Sequence, residues 1–179
     1  MRGRRRSQEH QDGDERCDRR ARPWSMGRWI ELGTGHHGAL APDEDEKVAD
    51  VFYRVEPHPQ APKLAPDRDG LIWLPAGAVD TAFAQNASAD ERAVLAAVQR
   101  PISINCITVP VGRPLWKDIP SWFLVAEDDR MIVPETQRYM AERMTATIKA
   151  HAVDHTPSVT APTTVVDVIR DAIRSVTGS

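Results

Sequence analysis

Asp129 and His155 are residues of the types that do acid–base chemistry as a pair. Asp129 lies in "FLVAEDDRMIVP", residues 123–134, an apolar run that stops on three acids and turns through Arg130, Met131 and Ile132 into a proline. His155 follows a second run, "TATIKAHAV", in the sequence "VDHTPSVTAP". An aspartate that accepts a hydrogen bond from one imidazole nitrogen fixes the tautomer. It also stabilises the imidazolium formed when the other nitrogen takes a proton. A plainer role is open to each residue: Asp129 as the cap of a turn before a helix, His155 as an ordinary loop histidine. Glu127 and Asp128 read as solvated acids. Asp154 is a weaker acid candidate, because neighbours in sequence seldom orient one another's rings. His151 reads as a strand residue pointing away.

The elements around the two residues explain how they could meet. "SWFLVAED" has the continuous apolar character of a buried strand. "PETQRYMAERM" is a helix with Pro134 in its first turn, where the missing N–H is harmless. "TATIKAHAV" is a second strand and "HTPSVTAP" a loop. "TTVVDVIRDAIRSV" is an amphipathic helix with Val165, Val168, Ile169, Ala172, Ile173 and Val176 expected on one face. Strand, helix, strand, helix predicts a right-handed crossover and a parallel sheet covered by helices. Ligand sites of such sheets lie off the carboxyl ends of the strands. Both Asp129 and His155 fall at that edge.

The upstream chain is less regular. Trp29 to Leu32 reads as a short strand and the glycines at 33, 35 and 38 as a turn. The two histidines of "GTGHHGAL" lack a lysine or a second ligand pair, so neither a phosphate loop nor a metal site is expected. Pro42 and the acids at 43–46 look like a helix start, with Val48, Val51 and Phe52 at helical spacing. "EPHPQAPKLAPDRDG", residues 56–70, is a proline-rich loop. "LIWLPAGAVDTAFAQN" reads as an extended piece, then a helix with Ala78, Val79, Ala82 and Phe83 inward. "SADERAVLAAVQR" carries a capping box at Ser88 and Glu91, with Val94, Leu95 and Val98 as its apolar face.

Composition narrows the function. The chain has 179 residues, 41% hydrophobic and 27% charged, with net charge −3. That is an ordinary folded domain with no electrostatic reason to take nucleic acid as its main partner. Cys17 and Cys106 form neither a disulfide framework nor a metal-ligand spacing, so no metal or cofactor is expected. No apolar run reaches membrane-spanning length, and no apolar segment follows the first arginines. A cytoplasmic protein is expected. Residues 1–30 hold nine arginines against five acids, and the remainder 14 basic residues against 21 acidic. The opening "MRGRRRSQEHQDGDERCDRRARP" has too few apolar groups to offset its ordering entropy, so residues 1–28 are expected to be a disordered arginine-rich tail.

The segment "PSWFLVAEDDRMIVPETQRYMAERMTATI…VDHTPSVTAP" resembles the C-terminal end of α/β-hydrolase-fold enzymes. The nearest likeness is to small esterase-like members and their relatives, the methyl esterases and hydroxynitrile lyases. In that pattern the penultimate strand ends in an acid followed by D-x-x-I-x-P. A helix with Q-x-x-M, the last strand and x-H come next. The resemblance implies that Asp129 is the catalytic acid and His155 the catalytic histidine. Residues 39–120 are similar to the strand end and helical cap before this block. The implied organisation is a tail over 1–28, a partial core entry over 29–55, a helical cap-like region over 56–119 and the strand–helix–strand–helix block over 120–179. The implied fold class is α/β, the C-terminal part of an α/β-hydrolase sheet with a cap segment. The implied substrate is a small carboxylic ester.

The family also needs a serine on a G-x-S-x-G elbow, and this sequence contains none. "PWSMGR" around Ser25 is the nearest likeness, a weak candidate because arginines and no apolar strand precede it. The expectation is therefore a truncated chain, weakly active or inactive alone. The alternative is a non-catalytic interaction module that binds another chain, or itself, through an exposed sheet edge.

Overall fold

The computed structural model describes residues 34–37 and 39–178, with only the backbone described for 34–37. The arginine-rich segment 1–28, Ser25 and the strand expected at Trp29–Leu32 lie outside these residues.

Three parallel strands carry the site. β1 is Thr34–His37, β4 is Ser121–Ala126 and β5 is Thr147–His151, in the spatial order β1-β4-β5. β4 is thus the central strand, and all six of its residues are buried. Its alternation divides them between two layers. Phe123 and Val125 join Met140 and Ala141 of the helix Pro134–Arg143 and Met144, its C-cap. Trp122 and Leu124 pack on Val165 and Val168 of the helix Pro162–Thr177. Helices on both faces explain why β4 reads as an unbroken apolar run.

In chain order the helices are α1 (Val48–Phe52), α2 (Ala89–Val98), α3 (Asn105–Thr108), α4 (Pro134–Arg143), α5 (Pro157–Thr160) and α6 (Pro162–Thr177). A π-helical turn covers Val79–Phe83 and a 3-10 turn covers Leu115–Lys117. β2 (Leu71–Ile72) and β3 (Ile102–Ser103) form a separate antiparallel pair. α6 ends on Gly178, whose φ of 68° is the left-handed conformation that closes many helices.

Several expectations change. The stretch read as a glycine turn contains β1, because pairing with β4 supplies what local propensity does not. Among the described residues the sheet therefore has three strands, one more than the two strong apolar runs of the last third indicate. The helix expected from the acids at 43–46 starts only at Val48, since Asp45 has a φ of 64°. The "HTPSVTAP" loop includes α5. α2 has its capping box but buries none of its residues, and Val94 and Val98 are exposed by 59% and 62%. In α6 the covered stripe is Val165, Val168, Ala172 and Val176, while Ile169 and Ile173 are exposed with Val166. An amphipathic period marks a face; it does not guarantee a neighbour to cover it.

Candidate active site

β4 and β5 keep pairing past their last residues. The backbone N–H of Glu127 donates to the His151 carbonyl at 2.9 Å, and that of Asp128 to Val153 at 3.1 Å. This zipper draws the two strand-end loops together at the carboxyl edge. His155 Nδ1 lies 3.0 Å from Asp129 Oδ2. Asp129 is buried, and the His155 side chain keeps a small exposed part.

The Asp129 carboxylate is fully engaged. Oδ1 accepts from the backbone N–H groups of Met131 at 2.7 Å and Ile132 at 3.0 Å. Oδ2 meets His155 and also accepts from Gln137 Nε2 at 3.0 Å. The turn cap and the histidine partner, posed as alternatives by the sequence, are therefore both satisfied by one carboxylate with an oxygen for each. An ionised carboxylate accepts only, so Nδ1 of the facing histidine carries the proton. The other ring nitrogen is left to receive one.

The remaining polar candidates go elsewhere. Glu127 is exposed and paired with Arg138 at 2.6 Å. Asp128 and His151 are exposed. Asp154 is fully buried and bonds to groups other than the ring. It accepts from the Asn86 N–H at 3.0 Å, the Thr156 N–H at 3.1 Å and the Thr160 hydroxyl at 2.6 Å. It joins the histidine loop to residues 79–87. Thr156 Oγ1 donates to the Phe83 carbonyl at 3.2 Å, and the Phe83 ring lies 5.1 Å from that of His155. From the other loop, Arg130 donates to the Thr81 carbonyl, and Gln85 donates to that of Asp128.

His155 also lines a cavity of about 420 Å³. Phe52, Ile104, Met131 and Ile132 contribute to its wall, which has no carboxylate, lysine or arginine among the described residues. The arrangement can therefore move a proton next to an apolar, neutral ligand. Ser88 caps α2, Ser103 accepts from the Asn105 N–H, Ser121 donates to Ile119 at the opposite end of β4, Ser175 donates to Asp171, and Ser158 is exposed on α5. Among the described residues no cluster of three metal-ligating side chains occurs, and no helix is long and apolar enough to cross a membrane.

In the sequence Gln137 stands out only within the Q-x-x-M pattern, Asp154 only as a weaker acid candidate and Phe83 only as an inward helix residue. For Gln137 a signal was present. It shares a face of α4 with Met140 and Ala141, and a glutamine on a buried stripe requires partners.

No family model matches the chain, and no curated protein matches it. Solved structures do. A histidine-to-alanine variant of polyneuridine aldehyde esterase superposes with a TM-score of 0.62 at 14% identity, over 78% of this chain and 61% of the other. A serine-to-alanine variant of a pyrethroid hydrolase gives 0.61 at 16%, over 78% and 59%. The chain thus spans about three-fifths of the length of these structures. The described residues have the C-terminal part of the α/β-hydrolase fold.

Proposed function

We propose that Asp129 and His155 are the acid and the base of a hydrolase-type site for small, neutral carboxylic esters. The 3.0 Å contact between a buried carboxylate and a ring that borders an apolar cavity carries this reading. In the reaction His155 takes a proton from the attacking hydroxyl and returns it to the leaving alcohol, and Asp129 holds the ring and balances its positive charge. The likeness to an esterase and a pyrethroid hydrolase supports ester substrates over other classes. Esterase-like chemistry is preferred to cyanohydrin cleavage on the same ground. Neither a metal nor a cofactor has a role in this scheme. The attacking hydroxyl is not assigned to any described residue.

The test is turnover of short p-nitrophenyl esters by the purified chain. Slow hydrolysis that His155→Ala abolishes and Ser25→Ala leaves intact is the expected result. Activity that survives His155→Ala would end this reading, and loss on Ser25→Ala would make Ser25 the nucleophile.

A second reading rests on a different observation. Among the described residues β1 lies at an edge of the sheet, and α6, packed beside it, exposes Val166, Ile169 and Ile173. This favours association of two copies through that edge. Light scattering that shows a monomer at all concentrations would dismiss it.

A further inference from the structure

We infer that Gln137 is a positioning residue that locks the Asp129 carboxylate and so sets the tautomer of His155. The inference rests on the reading of Asp129 and His155 as an acid–base pair. Gln137 is fully buried, yet every polar atom of its amide has a partner. Oε1 accepts from the Ala126 N–H at 2.9 Å. Nε2 donates to Asp129 Oδ2 at 3.0 Å and to the Ile132 carbonyl at 2.6 Å. These partners dictate which way the amide points. Flipping it would set N–H against N–H at Ala126 and carbonyl against carbonyl at Ile132.

The amide therefore always offers Asp129 a donor. Ala126 is the last residue of β4 and Ile132 lies in the turn beyond Asp129, so one side chain spans the whole loop that carries the acid. With Oδ1 held by two backbone N–H groups and Oδ2 by Gln137, the carboxylate cannot rotate away. A single acceptor position remains on Oδ2, and His155 Nδ1–H fills it. Neutral His155 then keeps its lone pair on Nε2, the nitrogen needed as base. Without Gln137 the carboxylate gains freedom to turn, and the preference for Nδ1–H weakens.

Ring ¹⁵N spectra of His155 above its titration midpoint read the tautomer directly. In Gln137→Met the Nε2–H form should increase by roughly three- to tenfold, as loss of one net hydrogen bond implies. Met140→Leu, a buried change one turn further along α4, should leave the ratio as in the unaltered chain. A folded Gln137→Met protein with an unchanged ratio overturns the inference. If that variant does not fold, the unaltered chain still decides. Its Gln137 side-chain amide should exchange slowly with solvent and shift with the midpoint of His155. Fast exchange, or resonances indifferent to that titration, also overturns it. None of these readings uses turnover, so ester hydrolysis that survives His155→Ala would end the proposed function and leave the positioning role standing.

Discussion

Every residue of β4 is buried, whereas α2, four residues longer, buries none. The two elements represent two regions. The block from Ser121 to Thr160 has a core that continues from strand to helices and a polar network in which each buried carboxylate is satisfied. The region from Leu71 to Lys117 exposes Trp73, Val94, Val98, Ile102, Val109 and Leu115. Its middle holds a small core of Val79, Ala84 and Ala87 with Leu74, Phe83 and Leu95 against it, Ala82 joins the core of the block, and there the region bonds to the loops of Asp129 and His155. The contrast teaches that the acid–histidine geometry depends on the block. The second region supplies a wall and a few ties.

The sharpest test of this contrast sets the two cores against each other. Phe123→Ala empties a site with no exposure at the centre of the sheet and should cost about 3–5 kcal/mol. Val98→Ala removes an exposed side chain and should change stability by less than about 0.5 kcal/mol. Urea unfolding with equal slopes measures both. Comparable losses would show that Val98 and its face of α2 pack into the core.

A smaller effect is expected at the ties. Asp154→Ala leaves the Asn86 and Thr156 N–H groups without their acceptor, while the Thr160 hydroxyl keeps the Thr156 carbonyl. About 2–3 kcal/mol is expected from stranding these donors. Hydrogen exchange should quicken at Asn86 more than at β4 amides. Uniform acceleration would mean that Asp154 supports the block itself and does not serve as a link.

How far the sequence revealed this division follows from the physics of each part. β4, α4, β5 and α6 were legible because their apolar periods are strong and Pro134 marks a helix start. The placement of Asp129 and His155 followed from strand ends alone, with their roles implied by resemblance. β1 was not legible, since a strand of Thr34, Gly35, His36 and His37 has no propensity to advertise and exists by pairing. The exposed faces of α2 and α6 were misread because periodicity cannot say whether a neighbour covers a stripe. The bond from Asn86 to Asp154 and the choice of partners for Gln137 depend on tertiary approach, which no local pattern encodes.

At the next scale down, Ser88 tests whether the second region unfolds locally. Its hydroxyl accepts from the Glu91 N–H, and the Glu91 carboxylate returns a bond to the Ser88 N–H at 2.8 Å. Ser88→Ala should cost α2 about 1 kcal/mol. Because α2 buries nothing, the loss should appear as faster exchange in its first turn, with the main melting transition almost unmoved. A drop of many degrees in that transition would tie α2 to the global core.

The smallest effect concerns the joint between residues 41–46 and α4, and it is a matter of pH. Glu46 Oε2 lies 2.8 Å from Arg143 Nη2 and accepts from the Asp43 N–H at 2.8 Å. Burial pushes the Glu46 carboxyl up, but the Arg143 guanidinium and the Asp43 N–H outweigh it and hold the group below its ordinary value. Arg143 is itself pushed up by this pair despite its burial, so it stays charged and only the acid titrates. A carboxyl depressed in the folded state contributes stability above its unfolded pKa, near 4.3 for glutamate, and that contribution is lost as pH falls through the folded value. The unaltered chain should therefore exceed Glu46→Gln in stability at neutral pH by less than about 1 kcal/mol, since such partly exposed pairs are weak. The gap should narrow below the ordinary glutamate range and close once Glu46 is protonated in the folded protein. Asp43, paired with Lys117, and Asp118, paired with Arg113, are depressed as well and steepen the acid limb of both proteins alike. Thermal melts of the two proteins in a pH series read the difference. A gap that stays constant as pH falls would mean that Glu46 acts by packing, and that charge does not hold this joint to the block.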